Sequence, residues 1–319
     1  MKVDRIVATG PLPEWAEGRI GGAFRLFVAS NPDPRSLVGE LGADVAAIIA
    51  RSSTRIDARV FEAAPNLRVI GRTGVGYDSV DVEAARRRHV VVLYTPDAVT
   101  QATAEHTVSL LVAAAKDVPG WQRRVGEGRW TERNRVLNRD LYGSTLGIVG
   151  YGRIGRRVHE LLKPWGMTVL ACDPHVGGAE MECCGARPVT LRKLLRESDF
   201  VTLHCPLNES TRGLINAENL RQARKGAVLV NCARGGLIES NQVLMKALQE
   251  GGLSAVALDV LEKEPPAAGD PLMRHPRAIV TAHVASRTPR TQRIMVETLL
   301  DDLMAVLTGG HPRPGNVVG

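Results

Sequence analysis

The sequence predicts an α/β protein made of two doubly wound parallel-sheet domains, and three observations predict it. At 319 residues the chain is longer than one hydrophobic core normally supports. Short apolar runs alternate with helical stretches along almost its whole length. Within those runs consecutive positions are apolar, rather than alternate ones, as strands buried on both faces of a parallel sheet require.

The first set of predicted strands is RLFVAS (25–30), VAAIIA (45–50), LRVIG (67–71) and VVVLY (90–94). The second set is TLGIVG (145–150), TVLACD (168–173), FVTLHC (200–205), AVLVNC (227–232), SAVALDV (254–260) and AIVTAH (278–283). Right-handed crossovers should join the strands within each set. Between the sets lie a helix near 101–116 and a segment without clean periodicity that carries Trp121 and Trp130. That segment is either a long surface connection or an arm that packs on a second subunit. A last helix near 289–308 has no strand of its own to follow, so it is expected to return to the first domain. The expected boundaries are therefore 1–95 with 289–319 for one domain and 96–288 for the other. The chain stops at Gly319 just after that helix, so no separate regulatory domain is expected.

Composition removes several function classes. No run reaches the roughly 18 apolar residues of a membrane span. The start, MKVDRIVATG, lacks a secretion signal. Five cysteines without a CxxC pair suggest reduced thiols, a cytoplasmic address and no metal site. The net charge of +7 comes from scattered arginines, and the one basic run, Arg86–Arg88, reads as a solvated helix face. Attraction of small anions accounts for that charge without a nucleic-acid partner.

The strand at 145–150 runs directly into Gly150-Tyr-Gly152-Arg153-Ile154-Gly155 and then an amphipathic stretch, RRVHELLKPWG. A glycine motif that follows a strand and opens a helix is a dinucleotide-binding signature. Gly150 permits the turn, Gly152 admits a pyrophosphate, and Gly155 lets helix pack on strand. The helix N-terminus offers N–H groups to the phosphates. Asp173 ends the next strand, where a carboxylate accepts hydrogen bonds from a ribose and repels a 2′-phosphate. NAD is therefore the expected cofactor.

Ligands of open α/β sheets bind beyond the carboxyl ends of the strands. Polar residues just past those ends are His204, Arg234, Asp259 with Glu264, and His283. A guanidinium can hold a carboxylate and orient a neighbouring carbonyl. A histidine beside a glutamate makes an acid–base pair. Together with a hydride donor this is the set that reduces a 2-oxo acid. His204 reads equally well as a satisfied strand-end histidine. The other histidines, His106 in its helix included, are assigned to helix faces and loops.

The stretches GYGRIG, HCPLNESTRGLI, LVNCARGGLIE, ALDVLEKEPP and TAHVAS, in this order and spacing, resemble the D-isomer-specific 2-hydroxyacid dehydrogenase family, as does APNLRVIGRTGVGYDSVD. The resemblance covers roughly residues 45–290. It implies a Rossmann NAD-binding domain and a flavodoxin-like substrate domain with a cleft between them, and a homodimer. It implies that Arg234 orients the substrate, that His283 exchanges a proton with the carbonyl, and that Glu264 pairs with that histidine. By the same resemblance Asp259 contacts the nicotinamide carboxamide, and Thr103, Pro206, Thr211, Cys232 and Ala233 line the cofactor groove. The backbone of Val75 and Gly76 would hold the substrate carboxylate.

The stretch ARSST (50–54), with GRTGVGYD and NCARGG, looks most like the phosphoglycerate dehydrogenase branch. There Arg51, with Ser52 beside it, would bind the substrate's phosphate. Val99 departs from that branch's phosphate-contacting asparagine, and PDAVT is close to glyoxylate and hydroxypyruvate reductases, so an unphosphorylated acid is the alternative. Tyr94, Leu261 and Ala282 also depart from the usual pattern without removing a catalytic group. A third reading is a non-enzymatic, NAD(H)-sensing corepressor. Formate oxidation fits worse, because relatives with that activity carry glutamine where Glu264 stands.

Overall fold

The computed structural model describes residues 4–20, 22, 24–31, 33–51 and 54–318. They form two compact units. One runs up to Val99 and resumes at Arg287, and the other is Thr100–Ser286.

The first unit holds a five-stranded parallel sheet of β1 (Arg5–Ala8), β2 (Arg25–Val28), β3 (Val45–Ala50), β4 (Val69–Arg72) and β5 (Val91–Leu93), in the order β2-β1-β3-β4-β5. This is the flavodoxin-like order, whose ligand crevice lies where the winding reverses, between β1 and β3. Every residue of β3 is buried, as its uninterrupted apolar run requires. The Pro289–Leu307 helix packs on this sheet. Thr288 caps its start, and Met295, Val296, Leu299, Leu300 and Leu303 recur at helical spacing on its buried side. Gly71 of β4 leaves the space that Leu299 fills, since a Cβ there would lie 2.8 Å from Leu299 Cδ1.

The second unit holds seven parallel strands: β6 (Thr145–Val149), β7 (Thr168–Cys172), β8 (Arg187–Pro188), β9 (Phe200–Leu203), β10 (Ala227–Asn231), β11 (Leu253–Leu258) and β12 (Ala278–Val280). Their order, β12-β11-β10-β9-β6-β7-β8, is the Rossmann order with one further strand. The reversal falls between β6 and β9. The Thr100–Ala115 helix and the Arg153–Leu162 helix contribute Leu110, Leu111, Val158 and Leu162 to one core, along with Ile148 and Phe200 of the sheet.

Two strands escape the sequence pattern. β1 is four residues long and follows the charged Asp4, yet it lies centrally in its sheet. β8 is a two-residue edge without an apolar run. The segment after residue 116 also contains an unforeseen helix, Val118–Gly126. Its sequence carries only a partial apolar face, and ion pairs hold it from outside. Arg124 bridges Asp117 and Glu132, while Trp121 donates its indole N–H to Asn138. Among the described residues, no helix is long and apolar enough to cross a membrane.

Candidate active site

The glycine motif has the geometry that its sequence demands. Gly150 adopts φ +89°, and a Cβ there would lie 2.5 Å from Cys205 N, so the turn is pressed against the end of β9. A Cβ on Gly155 would lie 2.2 Å from Gly150 O, whereas one on Gly152 would meet nothing within 4 Å. The open side of Gly152 is the space a pyrophosphate needs. No side chain caps the Arg153–Leu162 helix, so its first turn is suited to phosphate oxygens. Asp173 ends β7 and accepts hydrogen bonds from the Tyr151 N–H at 2.7 Å and the His175 N–H at 2.8 Å. Its carboxylate thus stands against the glycine turn. These residues fit a dinucleotide.

At the ends of β10, β11 and β12 the structure brings Arg234, Asp259, Glu264 and His283 together. Asn231 shapes the arginine loop, accepting from Ala233 N–H at 3.0 Å and donating to Arg234 O at 2.9 Å. The glycines that follow have a packing reason. A Cβ on Gly235 would lie 1.9 Å from Leu261 O, so the arginine loop rests directly on the turn that leads to Glu264. Arg234 Nη1 donates to Ala233 O at 2.7 Å.

Glu264 Oε1 accepts from the Leu261 N–H at 3.0 Å, and its Oε2 lies 2.8 Å from His283 Nδ1. Burial pushes the Glu264 carboxyl up, but the hydrogen bonds from His283 and Leu261 outweigh it and hold it below its ordinary value. The His283 pKa is raised, chiefly by the hydrogen bond to Glu264, against opposing contributions from burial and from the Arg234 charge. An ionised carboxylate only accepts, so Nδ1 carries the proton in this pair, and Nε2 is the ring nitrogen that Glu264 does not engage.

His283 sits at φ +53°, unusual for a residue with a Cβ. Asp259 holds it there. The Asp259 carbonyl accepts from the His283 N–H at 2.8 Å, and its carboxylate accepts from the Val284 and Ala285 N–H groups, each at 2.9 Å. Asp259 is fully buried. Burial raises its pKa, but the hydrogen bonds it receives, His106 and Thr281 first, bring the net below its ordinary value.

The remaining expected residues lie around this centre or in the other unit. Thr103 is buried on the Thr100–Ala115 helix, and Cys232 is buried enough for its thiol to be pushed up to about 12. Thr211 donates to Pro206 O at 2.6 Å and closes the loop after β9. His204 is neither reading cleanly: both ring nitrogens are buried without a hydrogen-bond partner, and burial pushes its pKa down to about 3.

In the first unit Arg51 lies past β3, with its Nη2 donating to Pro11 O at 2.8 Å, and Ser52 lies outside the described residues. Val75 and Gly76 belong to the loop after β4, whose backbone the sequence reading expected to hold a carboxylate. Its organiser is Arg72, which that reading passed over. Arg72 is buried and donates to Gly76 O at 3.1 Å, to Ala50 O at 3.3 Å and to Arg51 O. One buried guanidinium therefore ties both candidate substrate loops. Tyr77 and Tyr94 meet edge to face beside it, 5.6 Å between ring centres. At the opposite, amino ends of this sheet a cavity is lined by Asp4 and Arg68, which pair with each other at 3.2 Å, and by Asp44, which pairs with Arg5 at 3.2 Å.

His106 is the second organiser the sequence reading missed. Far from being an ordinary helix histidine, it reaches Thr281 and Asp259. Among the described residues, no cluster of three or more metal-ligating side chains occurs.

A Rossmann unit with an open glycine turn, a carboxylate at the next strand end and an acid–base pair past β12 defines a class, that of nicotinamide-dependent oxidoreductases. Comparison with known proteins narrows it. Residues 108–285 match the family described as D-isomer specific 2-hydroxyacid dehydrogenase, NAD binding domain. The chain belongs to this family. A glyoxylate reductase of Korarchaeum cryptofilum is 38% identical over 313 residues, 97% of this chain and 94% of the relative. A D-3-phosphoglycerate dehydrogenase of Archaeoglobus fulgidus is 39% identical over 263 residues, 82% of this chain. The chain spans only about half the length of that relative, 50%. Among solved structures, D-lactate dehydrogenase from Aquifex aeolicus, complexed with NAD and lactic acid, is 25% identical with a TM-score of 0.89 and covers 99% of both chains.

Proposed function

We propose that the protein is an NAD-dependent D-2-hydroxyacid dehydrogenase that interconverts a small 2-oxo acid and its 2-hydroxy acid. The observation that carries this reading is the His283–Glu264 hydrogen bond beside the Arg234 charge. NAD(H), when bound along Gly150–Gly155 and Asp173, supplies or accepts the hydride.

The chain's own residues do the rest. His283 Nε2 gives a proton to the carbonyl oxygen in reduction and takes it back in oxidation. Glu264 fixes the tautomer and stabilises the imidazolium that reduction consumes. Arg234 holds the substrate carboxylate and polarises the adjacent carbonyl, and its charge disfavours imidazolium, which Glu264 offsets. The amides of Val75 and Gly76 are proposed to help hold that carboxylate. Thr103, Arg153, Ile154, Pro206, Thr211, Cys232, Ala233 and Asp259 are proposed to line the cofactor groove. Five free cysteines support a cytoplasmic address. Support for a homodimer comes from the segment after residue 117, where Trp130, Leu137 and Tyr142 are 58%, 90% and 83% exposed.

For the substrate, we favour a phosphorylated acid of the 3-phosphoglycerate type, with Arg51 on the phosphate. The second reading, glyoxylate or hydroxypyruvate, is favoured by one observation. Val99, where the phosphorylated branch carries a polar contact, is buried and apolar. The experiment is oxidation of NADH by the purified protein with phosphohydroxypyruvate, hydroxypyruvate and glyoxylate offered in parallel. Preference for the first that is lost in Arg51→Ala supports the favoured reading, and preference for the smaller acids replaces it. Tight NADH binding without turnover on these or a wider 2-oxo acid panel would overturn the enzymatic reading in favour of the corepressor-like one.

A further inference from the structure

His106 stands in the middle of the Thr100–Ala115 helix, 175 residues before Thr281 in the chain. Its Nε2 is 3.1 Å from Thr281 Oγ1 and 3.4 Å from Asp259 Oδ1. The Thr281 hydroxyl lies 2.5 Å from that same Asp259 oxygen. A hydroxyl has one proton, and the ionised Asp259 can only accept, so that proton goes to Asp259. The Thr281 oxygen is then an acceptor, and the hydrogen it receives is the one on His106 Nε2. The tautomer of His106 is thereby fixed, and the chain of bonds runs in one direction, from His106 through Thr281 to Asp259.

Asp259 spends its other bonding capacity on the turn that carries His283. Its carbonyl accepts the His283 N–H, and its carboxylate accepts those of Val284 and Ala285. These three bonds hold His283 in the left-handed backbone region that its Cβ disfavours. The carboxylate can reach two successive amides only in one rotation about its own side-chain bonds. His106 and Thr281 fix that rotation through Oδ1, the oxygen that also accepts the Val284 N–H.

We propose that His106 is a positioning residue for His283, acting through Thr281 and Asp259; the proposal rests on the reading of His283 as the proton-exchanging group. Removing the His106 donor lets the Asp259 carboxylate turn, loosens the 283–285 turn and misplaces Nε2. The glycine turn, Asp173 and Arg234 are untouched, so capture of the dinucleotide phosphates and of the substrate survives, and the effect falls on the nicotinamide end of the groove, where Asp259 and His283 stand.

The test compares His106→Leu, which removes the donor, with His106→Gln, whose amide nitrogen can replace it. Turnover is measured with NADH and whichever of the three acids above the wild type reduces fastest. A misplaced acid–base group lowers turnover by roughly tenfold to a hundredfold. His106→Leu is expected to show that loss in kcat, with KM for the acid nearly unchanged and NADH affinity by fluorescence changing far less than kcat. His106→Gln is expected to recover most of it. Thr281→Val cuts the same chain one step later, so its loss should not add to that of His106→Leu.

Wild-type kcat in His106→Leu would overturn the proposal. So would a loss that His106→Gln fails to recover, because the donor would then not be what matters. If His106→Leu does not fold, Thr281→Val alone carries the test, and unchanged kcat in it overturns the proposal. If the wild type reduces none of the acids, the functional reading falls separately. The His283 imidazole resonance in 13C-labelled protein then decides about His106: it must shift in His106→Leu and stay in place in His106→Gln.

Discussion

Each unit gathers the loops at the carboxyl ends of its strands around one buried ion, and the two ions have opposite sign. In the Thr100–Ser286 unit Asp259 collects backbone N–H groups from the His283 turn. In the other unit Arg72 collects backbone carbonyls from the loops that follow β3 and β4. The sign decides what the loop has left to offer. A turn whose amides are consumed by a carboxylate presents a side chain, and His283 is that side chain. A loop whose carbonyls are consumed by a guanidinium can commit its amides to an anion without competition from those oxygens. On the function proposed above, the same device would suit one unit to proton exchange and the other to holding a carboxylate or phosphate.

The largest effect should come from breaking the side-chain half of this contrast. His283→Ala is expected to lower kcat by about 10²- to 10⁴-fold, the range of general acid–base catalysis. NADH affinity, read by fluorescence titration, should hold. Arg72→Met addresses the backbone half. Losing hydrogen bonds from a buried charged donor should destabilise the folded state by about 2–3 kcal/mol in a denaturant titration. KM for the acid should rise far more than kcat falls. A KM as low as the wild type's would show that the carbonyls do not need gathering.

The subtlest effect is in pH. Glu264 raises the His283 pKa, so reduction, which needs imidazolium, persists above the ordinary histidine range and fails as pH rises through the raised value. The histidine's contribution to stability has the same sign, being lost as pH climbs through its raised folded pKa, while the glutamate's, whose pKa is lowered, is lost as pH falls through its folded value, so the pair stabilises between the two. Glu264→Gln should move the alkaline fall of the reduction rate to lower pH, and a rate profile across pH 5–9 reads it directly. An unmoved profile would assign that limb to another group.

The parallel sheets were legible because strands buried on both faces leave uninterrupted apolar runs, and β3 and β10 are such runs. The glycine turn was legible because strand, turn and helix adjoin in the chain. The set Arg234, Glu264 and His283 followed from looking past strand ends and from the family's motifs. Their organisers were not legible. Arg72 falls just past the predicted strand at 67–71, and its three acceptors are backbone oxygens that leave no trace in side-chain pattern. His106 is joined to Thr281 only after the sheet has formed, and nothing local marks a helix histidine for that contact. The Val118–Gly126 helix was missed because ion pairs from flanking segments, not an apolar face of its own, fix it in place.

The closeness of Gly235 to the Leu261 carbonyl has a mechanical consequence. With no side chain between them, the two loops share a hard backbone contact, and neither can drift toward the other. Motion of the arginine loop toward the glutamate turn meets main chain at once. The closest approach of the arginine loop to the turn bearing Glu264 is thus limited by main chain rather than by the rotamers of long side chains.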